Sequence, residues 1–230
     1  ADCHSGIGSG GGIFTSGLIV SEHSAIIIRN CSTGGDVPGG GFYVQSGVDT
    51  AEAAVLLANS SIVSIHATNA AFGGGFSTDG QVLVANNSTL QISDSHASKF
   101  SGGFSSSSLQ VTDQSAVFFE NVTAAREIGG FRSDQGVLVS NSSEISIRRA
   151  VAGKHGGGFS SYGPVVVAQN SQISVSDSYA SSGCCAGFRV EQELAGALAA
   201  VQVTGGSTIS VSNTAARLQG GGFAAWRGDV

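Results

Sequence analysis

The sequence contains no methionine, 2 prolines and 1 tryptophan, and only 11% of its 230 residues are charged. With 10 Lys plus Arg against 16 Asp plus Glu, the chain has no surplus of cations to neutralise a phosphate backbone, which excludes nucleic acid as its partner. No apolar run approaches the roughly 20 residues that a membrane-spanning helix needs. The opening Ala1-Asp2-Cys3-His4 lacks the basic and apolar regions of a signal peptide. Without methionine, Ala1 is not a translational start, so a processed product or a piece of a longer chain is expected. What the chain does have is 35 glycines and a hydrophobic share of 41%, a combination that opposes both a mainly helical domain and a disordered acidic tail. Composition is even along residues 1–230, which points to one domain.

The chain repeats itself. Gly-Gly-Phe or a close variant recurs with its aromatic at Phe42, Phe76, Phe104, Phe131, Phe159, Phe188 and Phe223, and Ile13 holds the same place after Gly10-Gly11-Gly12. The interval is about 28 residues, lengthening to 34 and 35 in two places. A second marker keeps step: Ser24, Ser61, Ser88, Ser115, Ser143, Ser171 and Ser207 each open Ser-x-apolar-x-apolar. An alternating apolar pair, such as Val82/Val84 or Val137/Val139, ends four residues before each serine.

Alternation of period two puts paired residues on one face of a strand. Each repeat therefore reads as three short strands, too short to form a sheet of their own. They are satisfied by pairing with the same strand of the next repeat, which predicts an all-β fold: a single-stranded parallel β-helix with three strands per coil of about 28 residues and seven to eight coils. Phenylalanine fills the interior, and the glycines before it serve a tight corner. Asn30, Asp94, Asn121, Asp177 and Asn213 form a turn column in which each side chain is expected to cap its own turn, and small Ala70, Ala97, Ala124, Ala152, Ala180 and Ala216 follow. Insertions at 43–54 and 189–200 leave one corner; the second, rich in helix formers, is expected to form a short helix.

The Gly-Gly-Phe pattern in a Ser- and Asn-rich β-helical sequence, with one Phe-x-x-Asn copy at Phe118-Phe119-Glu120-Asn121, resembles the polymorphic outer-membrane-protein repeats of autotransporter-like passengers. The resemblance covers nearly the whole chain. It implies a right-handed parallel β-helix used for adhesion or scaffolding, and it carries no catalytic residues.

A polysaccharide-cleaving β-helix needs paired carboxylates within several Å. Asp79 and Asp134 share a register position but stand two coils, roughly 10 Å, apart with Ser107 between them. Asp94 and Asp177 are three coils apart, and the five histidines occupy different columns. No catalytic, cofactor or metal residues are therefore assigned and no cofactor is expected. Arg227-Gly228-Asp229 spells an integrin-binding tripeptide, read as coincidence in a glycine-rich chain. An ice-binding sheet would need regular small outward residues, which the third strand lacks. The expectation is a non-enzymatic scaffold or protein-binding module, with a polysaccharide-acting enzyme or an ice-binding protein as the alternatives.

Four expectations attach to particular residues. The outward column of the second strand, Ile19, Leu56, Leu83, Leu138 and Val166, forms an apolar ridge expected to pack on another protein or a neighbouring segment of the same chain. Cys3 and Cys31, one coil apart, are expected to be disulfide-bonded in an oxidising compartment, making the protein secreted, surface-borne or lumenal. Cys184 and Cys185 are left open between a vicinal disulfide and two thiols. Asn30, Asn59, Asn86, Asn87, Asn121 and Asn141 lie in glycosylation sequons, for which at most partial occupancy is expected.

Overall fold

The computed structural model describes residues 3–6, 8–45, 53–192, 200–218 and 221–227. It is a parallel β-solenoid, and no helix occurs among the described residues. Every strand pairs with its counterpart one coil away, giving two eight-stranded and two seven-stranded parallel sheets. One coil runs Phe76–Thr78, Gln81–Val84, Thr89–Ser93 and His96–Phe100. The first three are the strands read from the repeat. The fourth is a ladder formed by the segment read as a bend, often only two residues long, as in Thr123–Ala124.

Side chains at the repeat positions lie in register. Phe76 pairs Phe42 on one side and Phe104 on the other, and Val82 and Val84 pair Val55 and Leu57. Stacking six phenylalanines in one interior column buries all of them, with ring centroids 4.3 Å apart at Phe42–Phe76 and 4.8 Å at Phe159–Phe188. That matches the ~4.8 Å between neighbouring strands, so the ladder sets the stacking distance. The widest step, 5.3 Å at Phe104–Phe131, occurs where Phe119 of the third sheet approaches both rings.

Three corners use three devices. Between the second and third sheets, two successive residues adopt left-handed angles in each coil, among them Asn59-Ser60, Asn86-Asn87 and Asn141-Ser142. The serine that follows then accepts, through Oγ, the backbone N–H of the equivalent serine one coil earlier: Ser61 from Ser24 at 3.2 Å, Ser88 from Ser61 at 3.1 Å, and on in unbroken sequence to Ser207 from Ser171 at 3.1 Å. These amides lie beyond the sheet ladders, and the hydroxyls supply the acceptor that a buried N–H requires.

After the third sheet, Asn30, Asp94, Asn121, Asp177 and Asn213 each turn the chain with φ near +50°, joined in that column by Ala67 and Arg149. Asparagine and aspartate tolerate that region best. Their side chains do not close their own turns: Asn121 Nδ2 donates to Asp94 Oδ1 at 2.6 Å and Asn213 Nδ2 to Asp177 Oδ1 at 3.2 Å, bridging coils instead.

At the glycine corner, the left-handed angle falls on the residue before the Gly pair, which is Gly73 in one coil but Ser101 and Ile128 in others. Where both places are glycine the pair allows close approach, while Ala186 takes the first place in the coil of Phe188. A Cβ on Gly102 would overlap the carbonyl oxygen of Gly129 in the next coil. Of the two insertions, Tyr43 and Val44 complete a first-sheet strand and Arg189–Gln192 extend another, while 46–52 and 193–199 lie outside the described residues, the expected helix with them.

Candidate functional site

The second sheet carries the expected ridge in register: Ile19 pairs Leu56, Leu56 pairs Leu83, then Gln110, Leu138, Val166 and Gln202 follow. The next outward column is recessed, with Ala58, Ala85 and Ser140 buried. Neighbours spaced by one strand shield one another, so Leu56, Leu83, Leu138 and Val166 are half-buried and only Ile19, at the end of the column, is 65% exposed. The outward face of the third sheet mixes Ile62, Thr89, Ala116, Glu144 and Gln172 in one column. It has neither the apolar ridge nor a regular array of small residues.

A second feature lies on the first sheet. Its outward column reads Phe14, Tyr43, Ser77, Ser105, Arg132, Ser160 and Arg189. Two consecutive serines thus lie between a tyrosine and an arginine, and over them opens a trough of about 640 Å³. On one side stand Phe72 and Phe100, stacked at 5.6 Å. On the other stand Asp79 and Asp134, which therefore line one trough although they belong to different coils.

A shortened turn contributes to this opening. Between the first and second strands, the coil of Phe104 has the single residue Ser107 where its neighbours have Asp79-Gly80 and Asp134-Gln135. This turn is one residue shorter than those that carry the two carboxylates, a notch in the row, and Ser107 lines the opening with them. Beneath it the buried Ser106 hydroxyl has no hydrogen-bond partner, whereas Ser133 and Ser161 in the same column donate to Gly136 and Gly163. Tyr43 Oη donates to Asp79 Oδ2 at 2.8 Å. Burial, and then the Asp79 carboxylate, push the Tyr43 phenol up to about 12, so it is a fixed donor at physiological pH. Arg132 Nε donates to Asp134 Oδ1 at 2.7 Å while its guanidinium lies 4.8 Å from the centre of the Tyr162 ring.

The cysteines differ from expectation. Cys3 and Cys31 are in register, yet no S–S bond joins them; the bond is between Cys184 and Cys185. The Cys31 Sγ–H donates to the carbonyl of Arg29 at 3.3 Å. Burial and the neighbouring Cys3 push the Cys31 thiol up to about 11, so the thiolate required for exchange is scarce. Beside Cys184, His155 Nδ1 accepts its backbone N–H at 3.2 Å. Burial, together with the charges of Arg189 and Lys154, lowers the His155 pKa, which favours the neutral ring.

Among the other histidines, His66 reaches Asp94 at 3.2 Å and His96 bonds Thr123 at 2.7 Å. No group of three or more His, Cys, Asp or Glu that could hold a metal ion occurs among the described residues. All six sequon asparagines, Asn30, Asn59, Asn86, Asn87, Asn121 and Asn141, are exposed at left-handed turn positions. Gly228 and Asp229 of the Arg-Gly-Asp tripeptide lie outside the described residues. No helix among the described residues is long and apolar enough to cross a membrane.

Comparison of the chain with protein-family models, with curated proteins and with solved structures finds no match.

Proposed function

We propose that the chain is a non-enzymatic scaffold whose second sheet docks another protein or a neighbouring segment of the same chain. The observation that supports this most is the in-register ridge of Ile19, Leu56, Leu83, Leu138 and Val166 above a recessed column of small residues. Such a strip is pre-organised by the sheet, so packing on it orders few side chains beyond those already fixed. The third sheet, under the same strand requirement, carries the mixed outward column of Ile62, Thr89, Ala116, Glu144 and Gln172 instead. The adhesive or scaffolding role implied by the resemblance to polymorphic outer-membrane-protein repeats belongs to this reading.

An oxidising compartment, either extracellular or lumenal, fits the same proposal. Its support is the Cys184–Cys185 bond and six exposed sequons, rather than Cys3 and Cys31. The docking test is Leu83→Glu combined with Leu138→Glu, compared with wild type in a pull-down of the native assembly. Association is expected to fall at least tenfold, the factor given by about 1.4 kcal/mol, with melting unchanged. Normal assembly of the folded double variant would refute the docking face.

A further inference from the structure

We propose that the trough across the first sheet binds a neutral oligosaccharide, independently of any partner on the second sheet. Its dimensions come from the ladder. Tyr43, Ser77, Ser105 and Arg132 occupy four successive positions, three strand spacings or ~14 Å from end to end, with the two small serines as floor. A volume of about 640 Å³ falls within the ordinary range for a small-ligand site.

The lining selects the chemistry. Phe72 and Phe100 give an apolar wall for the C–H faces of sugar rings. Across the floor, Asp79 and Asp134 present carboxylate oxygens that accept from vicinal hydroxyls. Tyr43 and Arg132 hold each carboxylate through one oxygen, leaving the other to a ligand and leaving terminal guanidinium N–H groups as donors. Apolar wall on one side and alternating acceptors and donors on the other match the two kinds of surface that a pyranose offers.

Competing ligands fit less well. The lining carries two carboxylates and one guanidinium, a net negative charge that opposes phosphates, sulfates and uronic acids. Lys99 is nearby but is engaged by Asp36 at 2.7 Å. A peptide seeking an added strand finds no edge at the trough, because the first-sheet strands that form its floor are paired on both sides. The notch at Ser107 and the partnerless Ser106 hydroxyl mark the place where this coil departs from the packing of its neighbours, and it is where the trough opens.

The site is read as binding rather than cleaving. Each carboxylate already accepts a hydrogen bond, Asp79 from Tyr43 one coil before it and Asp134 from Arg132 of its own coil, and a coil separates the two acids.

The test is titration of the whole chain with four neutral β-linked tetrasaccharides, of glucose, xylose, mannose and N-acetylglucosamine, with tetragalacturonate as the charged control, followed by calorimetry and NMR. At least one neutral tetrasaccharide is expected to saturate at one per chain, with tetragalacturonate weaker by tenfold or more. Ser105→Trp, which fills the floor from the outward face, should abolish binding. Asp79→Asn with Asp134→Asn, a change without added bulk, should weaken it at least tenfold, and Asp94→Asn on another corner should leave it unchanged. Failure of all four sugars to bind, equal or tighter binding of tetragalacturonate, or unchanged binding by the folded Asp79→Asn/Asp134→Asn variant would overturn the proposal. Release of new reducing ends would overturn its non-catalytic part.

Discussion

The middle coils and the first and last described coils are built from the same repeat, yet their side chains differ in burial. Phe104, Phe131 and Phe159 are fully buried, while Phe223, the same position in the last described coil, is 58% exposed. Val139 is buried, and its counterpart Val203 is 44% exposed. At the last described coil an apolar hollow opens, lined by Phe188, Val201, Val203, Ile209, Val211 and Phe223. At the first, a smaller one is lined by Cys3, Ile13, Ile26 and Ile28. In a solenoid, burial is conferred by the coils above and below rather than by the side chain itself, so stability approximates a sum of interfaces between repeats.

The largest test of this contrast is aromatic. Phe131→Ala removes a ring stacked on both sides and should cost about 3–5 kcal/mol in urea unfolding, whereas Phe223→Ala should cost less than about 1 kcal/mol. Equal costs would mean that the end coil is as tightly held as the middle. Next is the glycine corner. Gly102→Ala would push a Cβ into the backbone of the following coil and should cost about 1–3 kcal/mol, but Gly222→Ala meets nothing within 4 Å and should be close to neutral by the same measurement. The smallest difference concerns the serine column. Ser88→Ala leaves the buried Ser61 amide without its acceptor and should cost about 1 kcal/mol or slightly more. Ser24→Ala, at the exposed head of the column, should change unfolding by less than about 0.5 kcal/mol, and exchange of the Ser61 amide should accelerate only in Ser88→Ala.

Three of the four sheets are legible in the sequence because their strands carry an aromatic marker or an alternating apolar pair. The fourth is not, since four of its eight strands, at Ala97, Ala124, Ala152 and Ala180, bury a single alanine, and one small residue has no period. The alanine column itself was the available signal. The serine marker was also plain in the sequence, but its purpose was not: accepting a bond from the previous coil is a relation between repeats, which no single repeat displays.

For the candidate trough, Asp79 and Asp134 could be placed in one column from spacing alone. That they line a common opening depends on the one-residue shortening at Ser107 and on the small Ser77 and Ser105, features that matter only once the coils are stacked. The Cys3–Cys31 register is legible in the sequence and the absence of a bond is not, because Cα spacing permits a disulfide without requiring one.

The serine column has one further consequence. In the sheets, donors and acceptors point both ways along the rod and their dipoles nearly cancel. The serine bonds do not alternate: every amide points toward the next coil and every accepting hydroxyl lies one coil ahead. The rod therefore has an arrow as well as an axis. Its two ends are chemically unlike, and a second rod laid against its side could distinguish parallel from antiparallel alignment before a single surface side chain is consulted.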